Sequence, residues 1–105
     1  MCHIFAGQLH ETYRSQTRSI RISGHSTSIR LEAAFWLTLE GIAERQGLSL
    51  GKFITTLHDE VLELHGEVRN FASLLRCCCL IYRGELRDKE PAGAVRPLGM
   101  LVAAE

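Results

Sequence analysis

The residues able to do chemistry fall into three groups. Cysteines stand at 2, 77, 78 and 79. Cys77, Cys78 and Cys79 are adjacent in a stretch of helical character. Their side chains point about 100° apart, so they cannot all bind one metal ion. They read as small buried hydrophobes. His58 and His65 are seven positions apart, two helical turns, which exceeds the one-turn spacing that suits joint coordination. They read as surface or interface groups. The third group is charged. Arg14, Arg18, Arg21 and Arg30, with His25, occupy a stretch from 14 to 30 that holds no acid. Asp59, Glu60, Glu63 and Glu67 occupy a stretch from 59 to 67 that holds no Lys or Arg. Net charge is zero, so total charge names no partner, but this distribution gives one cationic and one anionic region. Inside the cationic stretch, Ser26, Ser28 and Arg30 alternate with Thr27, Ile29 and Leu31. A strand puts the two sets on opposite faces. Taken alone, the polar set is the wet face of a half-buried sheet.

The elements that carry these groups follow from periodicity. Residues 25–32 (HSTSIRLE) form a short strand, too short to be stable alone. Residues 17–23 (TRSIRIS) also alternate, with Ile20 and Ile22 on one face. The apolar phase moves from even to odd positions near Gly24, so a bulge or turn belongs there. A first helix is predicted over 32–46, with Phe35, Trp36, Leu39, Ile42 and Ala43 as its buried stripe. Gly47 ends it. A second helix starts after the N-cap Ser49, with Leu50, Phe53, Ile54, Leu57, Val61 and Leu64 as its stripe, and Gly66 closes it. The connection Gly47-Leu48-Ser49 makes a tight helix–turn–helix. A third helix, 71–83, follows Asn70 and is apolar nearly all round, which predicts burial in its own domain or against another chain.

These elements divide the chain into an arm (1–16), a domain (17–83) and a loose tail (84–105) whose apolar end, GMLVA, is a candidate for docking. No apolar run approaches the roughly 18 residues that span a bilayer. The N-terminus lacks the pattern of a secretory signal. Adjacent cysteines make a poor disulfide framework, so the expected setting is reducing and cytoplasmic.

The runs RSIRISGHSTSIRLEAAFW (18–36), GLSLGKF (47–53) and NFASLLRCCCLIYR (70–83) resemble a bacterial subfamily of short ribbon-helix-helix domain proteins. The order strand, helix, Gly-x-Ser turn, helix is that of the fold. The resemblance implies a mostly α protein with a short β-ribbon, an intertwined homodimer whose antiparallel ribbon takes one strand from each chain. Here an additional N-terminal strand and a third helix depart from the simplest pattern. It implies a transcriptional regulator, not an enzyme, that needs no cofactor and binds DNA with the ribbon in the major groove. Ser26, Ser28 and Arg30 are then the base-contacting residues, with Arg30 able to fork to guanine. Leu48, Ser49, Leu50 and Lys52 at the start of the second helix are phosphate contacts, joined by Arg18 and Arg21. Ile29, Leu31, Phe35, Trp36, Leu39, Phe53, Ile54 and Leu57 form the dimer core. Assembly above the dimer stays open, as does the course of residues 18–23 over the ribbon.

Two other classes are set beside this one. An interaction module, an antitoxin or an oligomeric adaptor, would use the tail or the third helix to hold a protein partner. A thiol enzyme would use Cys2. Met1-Cys2-His3-Ile4-Phe5 resembles the start of glutamine amidotransferases, in which a nucleophilic cysteine needs a free amine beside it. Those enzymes have Gly where this chain has His3 and need a much larger fold, so packing of the arm is the expected role. No base–nucleophile pair is legible elsewhere.

Overall fold

His25–Glu32 (β2) pairs antiparallel with Ser15–Ile22 (β1) of the same chain, as seen in a computed structural model that describes residues 2–88. The register runs from Ser15↔Glu32 to Ile22↔His25, which leaves Ser23-Gly24 as a two-residue loop. Partners sum to an odd number, so an even position on β1 always faces an odd position on β2. The phase change in the sequence is therefore the signature of a hairpin. Ser23 and Gly24 have φ of 53° and 82°, the paired positive values of a type I′ turn, whose twist suits a hairpin. Gly24→Val places a β-branched residue in that left-handed conformation and should cost about 1–2 kcal/mol. A fall of about 5–10 °C in Tm is the expected reading by thermal circular dichroism. Ser23→Asn, which tolerates positive φ, should leave Tm unchanged or raise it.

Two short helices precede the hairpin, α1 (Cys2–Ala6) and α2 (His10–Tyr13). Neither helix buries a face, which is why residues 1–16 carry no apolar period: Ile4, Phe5, Leu9 and Tyr13 are all exposed. Three longer helices follow: α3 (Ala33–Arg45), α4 (Leu50–His65) and α5 (Phe71–Asp88). Their ends have local causes. The first amide of α3 has no side-chain cap; the Ala33 N–H donates to the Arg14 carbonyl at 2.8 Å, one rung beyond the ladder. At the other end Leu48 N–H donates to Ala43 O and Gly47 N–H to Glu44 O, a Schellman motif with Gly47 in the left-handed conformation. Ser49 Oγ accepts from Lys52 N–H at 3.1 Å, the N-cap of α4. Asn70 Oδ1 accepts from Ser73 N–H at 3.4 Å and starts α5. The third helix reaches Asp88, beyond the 83 expected. Residues 89–105, which include the GMLVA segment, lie outside the described residues.

The hairpin lays one face on the helices. Ile20 and Ile22 from β1 and Ile29 and Leu31 from β2 meet Trp36, Leu39, Ile42, Phe53, Ile54, Leu75 and Cys79 in one core. Among the residues expected at a dimer core, Ile29, Leu31, Trp36, Leu39, Phe53 and Ile54 are buried within this one chain, while Phe35 and Leu57 are only partly covered. Trp36 joins the layers: it is fully buried and its Nε1–H donates to the Gln16 carbonyl at 2.9 Å. α5 contributes Leu75 and Cys79 and is tied to the other layers by polar contacts. Arg76 Nε donates to Glu32 Oε1 at 3.0 Å, and Arg83 Nη2 to Thr38 Oγ1 at 3.3 Å.

Only Cys79 of the triple cysteine is buried; Cys78 is half-buried and Cys77 exposed, because a helix with one covered face cannot bury three consecutive positions. Burial pushes the Cys79 thiol up to about 12, assisted by neighbouring Cys78, while Arg83 acts against the shift. Burial raises Cys78 as well. Alkylation at pH 8 read by peptide mass spectrometry should therefore modify Cys77 first, Cys78 more slowly, and Cys79 only after unfolding.

Candidate nucleic-acid interface

The other face of the hairpin carries no apolar side chain. Cross-strand partners share a face, so the register groups Thr17 with Arg30, Ser19 with Ser28, and Arg21 with Ser26. All six side chains are exposed. Ser26, Ser28 and Arg30, outward by the strand alternation, make up half of this exposed face. Thr17 and Ser19, to which the sequence assigns no role, and Arg21, expected at the phosphates, make up the other half. The signal that could have found them is the same phase change at Gly24, read as a two-residue loop.

The three pairs span about 14 Å along the strands, at about 3.4 Å per residue, and about 5 Å across. The surface is also free of uncompensated acid. From Arg14 to Leu31 the chain has none. Glu32 closes the face and is bound by Arg76 at 3.0 Å. A hydrogen bond from its own backbone amide, then the Arg76 guanidinium, hold its carboxyl below the ordinary value of 4.5. A lowered folded-state value means the ionised form is favoured in the fold. That stability is present above pH 4.5 and is lost as pH falls through the lowered value. Glu32→Gln should thus lower Tm at pH 7 and flatten the decline of Tm below about pH 4.5, measured by scanning calorimetry across pH 3–7.

Arg18 is on the opposite face from Arg21 and Arg30. Its guanidinium lies 4.8 Å from the Trp36 ring centroid and donates to Glu40 Oε2 at 2.8 Å. The two arginines grouped in sequence are thus divided by the strand alternation. Arg21 Nη1 donates to Gly24 O at 3.3 Å and stays exposed at the tip.

At the start of α4 the expected phosphate contacts separate as well. The Leu48 N–H closes α3 on Ala43 O, so it is already engaged. The Ser49 and Leu50 amides precede the first intrahelical bond, Phe53 N–H to Ser49 O, and belong to the free donors of a helix N-terminus. Lys52 is exposed. α4 is fixed to the hairpin six residues on, where Thr55 Oγ1 donates to Arg21 O at 2.9 Å. That carbonyl lies on the outer edge of β1. By the same alternation the backbone groups of Ser26, Ser28 and Arg30 point to the outer edge of β2. His65 is exposed; His58 is half-buried edge-on to Phe71, at 5.1 Å between centroids, and its Nδ1 has no partner among the described residues.

Hairpin, helix, Schellman turn and capped helix thus follow one another without interruption, and a comparison with protein families matches residues 15–83 to the ribbon-helix-helix domain. The chain belongs to the ribbon-helix-helix family. Members of this family are, as a class, DNA-binding proteins of the regulator type. Among solved structures, this ribbon-helix-helix chain is similar to an uncharacterized protein from Bordetella pertussis Tohama I. The two are 43% identical with a TM-score of 0.81, over 90% of this chain and 76% of the other. No protein of curated function matches. No described helix is long and apolar enough to cross a membrane.

Proposed function

We propose that this protein is a sequence-specific DNA-binding transcriptional regulator that reads the major groove with its β1–β2 hairpin and binds as a homodimer. The observation that carries the proposal is the exposed face built from Thr17, Ser19, Arg21, Ser26, Ser28 and Arg30. Arg21 and Arg30 supply forked donors suited to guanine O6 and N7, and the hydroxyls of the other four donate or accept. A face about 14 Å long covers about four base-pair steps of 3.4 Å. The Ser49 and Leu50 amides with the Lys52 ammonium suit a backbone phosphate, which fixes register without reading sequence. Arg18, engaged by Glu40 and Trp36, is a support of the hairpin in this reading.

Width favours the hairpin of one chain as the inserted ribbon. A two-stranded ribbon fits the groove, about 12 Å wide. If instead the open edge of β2 paired with β2 of a second copy, four strands would result, with outer backbones about 14 Å apart. The two arrangements separate by mutation. In the one-chain ribbon Arg21 and Arg30 both read bases, so Arg21→Ala and Arg30→Ala should each weaken specific binding. In the two-chain ribbon only the central strands reach the groove floor, and Arg21→Ala should resemble loss of a phosphate contact, weakening all sequences equally. The second copy then places an equivalent face on a second half-site, and repeated or palindromic sites are expected. Electrophoretic or anisotropy titrations on selected and scrambled duplexes distinguish these outcomes. Unchanged binding by both variants rejects the hairpin as the reader.

A further inference from the structure

A threonine inside a helix often turns its hydroxyl back to the carbonyl four residues earlier. Thr38 in α3 does so, donating to Ala34 O at 3.0 Å. Thr55 in α4 does not. Its Oγ1 donates at 2.9 Å to Arg21 O, on a strand 34 residues away in sequence. The backbone carbonyls of Thr17, Ser19 and Arg21 all point to the outer edge of β1, and among the described residues only that of Arg21 has a partner. α4 therefore grips this edge by a hydrogen bond at one place, the backbone of a residue whose side chain lies on the open face. The Arg21 side chain is held too, since its Nη1 donates to Gly24 O at 3.3 Å. Arg30 is differently placed. It stands four residues along β2 from Ser26, the partner of Arg21, and no hydrogen bond joins α4 to β2 among the described residues.

α4 also begins at the amides that suit a phosphate. Leu50 and Thr55 stand about 7.5 Å apart along the helix axis. The Ser49 and Leu50 amides and the grip on Arg21 are thus the two ends of one short rigid rod. We infer that Thr55 is a positioning residue for base reading. Through the Arg21 carbonyl it sets where the Arg21 guanidinium stands relative to the phosphate at the start of α4. Without the hydroxyl, the hairpin tip takes up several positions. Only a fraction of them brings Arg21 to its guanine while α4 keeps its phosphate, and apparent affinity falls by that fraction. Arg30 lies beyond the grip and keeps its contact. This role rests on the hairpin being the base reader, and its test separates the two.

The test uses the full-length protein and a duplex selected for tight binding, with each base pair varied in turn and affinity read by anisotropy at fixed salt. Arg21→Ala and Arg30→Ala first locate the guanine that each arginine prefers. Thr55→Val is close in shape and lacks the donor. It should lower the preference for the Arg21 guanine about fivefold, the worth of one hydrogen bond, and leave the preference at the Arg30 guanine unchanged. Thr55→Ser keeps the donor and should keep the preference. Thr56→Val, the same change one position on and beside Asp59 and Glu63 rather than the hairpin, should alter neither guanine. Added to Arg21→Ala, Thr55→Val should cost no further base preference, because the side chain it positions is gone. Equal loss at both guanines, equal loss from Thr55→Ser or Thr56→Val, or no change from Thr55→Val overturns the role of Thr55. If Arg21→Ala erases no base preference, the hairpin reading fails at Arg21 and the role of Thr55 falls with it. If Arg21→Ala erases one that Thr55→Val leaves whole, the DNA reading stands and the positioning role alone is rejected.

Discussion

Trp36→Ala is expected to leave the chain largely unfolded at 25 °C. Trp36 is fully buried at the centre of the core and holds the hairpin base through the Gln16 carbonyl. It is also the shelf on which Arg18 rests before reaching Glu40. Removing a buried Trp side chain costs about 3–5 kcal/mol, against a total of about 5–15 kcal/mol for a natural domain. A chain this small lies near the low end of that range. Far-ultraviolet circular dichroism with urea titration reads the outcome. Trp36→Phe separates the two roles: it keeps most of the packing and removes the donor to Gln16 O, a loss of about 1 kcal/mol. A Trp36→Ala chain that melted within a few degrees of the parent would mean that the hairpin and helices are held by something other than this core.

Arg30→Ala has the second large effect and leaves the fold intact. Arg30 is exposed on the open face, opposite Thr17, and makes no ion pair among the described residues. Its removal should leave Tm nearly unchanged, since surface substitutions usually fall within about 0.5 kcal/mol. Specific DNA binding should fall by about ten- to a hundredfold for each hairpin engaged, the worth of a forked arginine–guanine contact of about 1–3 kcal/mol. Binding to scrambled DNA should fall much less, because phosphate contacts carry it. Arg30→Lys should recover charge without specificity, since an ammonium lacks the planar fork. Anisotropy titrations at fixed salt on specific and scrambled duplexes make the comparison. Equal losses on both would assign Arg30 to the DNA backbone.

Much of the molecule is legible in its residues. Stripe spacing and the caps at Gly47, Ser49, Gly66 and Asn70 place the helices because each marks a local hydrogen-bonding requirement of a helix end. The strand alternation places Ser26, Ser28 and Arg30 outward, since one buried face dictates the other. What escaped the sequence is non-local. The phase change at Gly24 allowed a bulge or a turn, and only the turn puts Thr17, Ser19 and Arg21 beside the β2 residues. Arg18 and Arg21 look equivalent as charges, yet Glu40 and the Trp36 ring, 22 and 18 residues away from Arg18, engage one of them. Leu48 has the position of a free donor at a helix start, yet its amide closes the helix before it on Ala43 O. The triple cysteine read as uniformly buried because its hydropathy is uniform, whereas α5 covers only one side.

The most direct test of the hairpin as a reader is a selection of duplex DNA from a random pool by the full-length protein at about 50 and 200 mM salt. Across that interval, phosphate-dominated binding loses orders of magnitude. A guanine-containing motif about four base pairs long, repeated at a fixed spacing, is expected at both salts and more sharply enriched at the higher one. Enrichment of no motif, with binding that disappears at the higher salt, would contradict it.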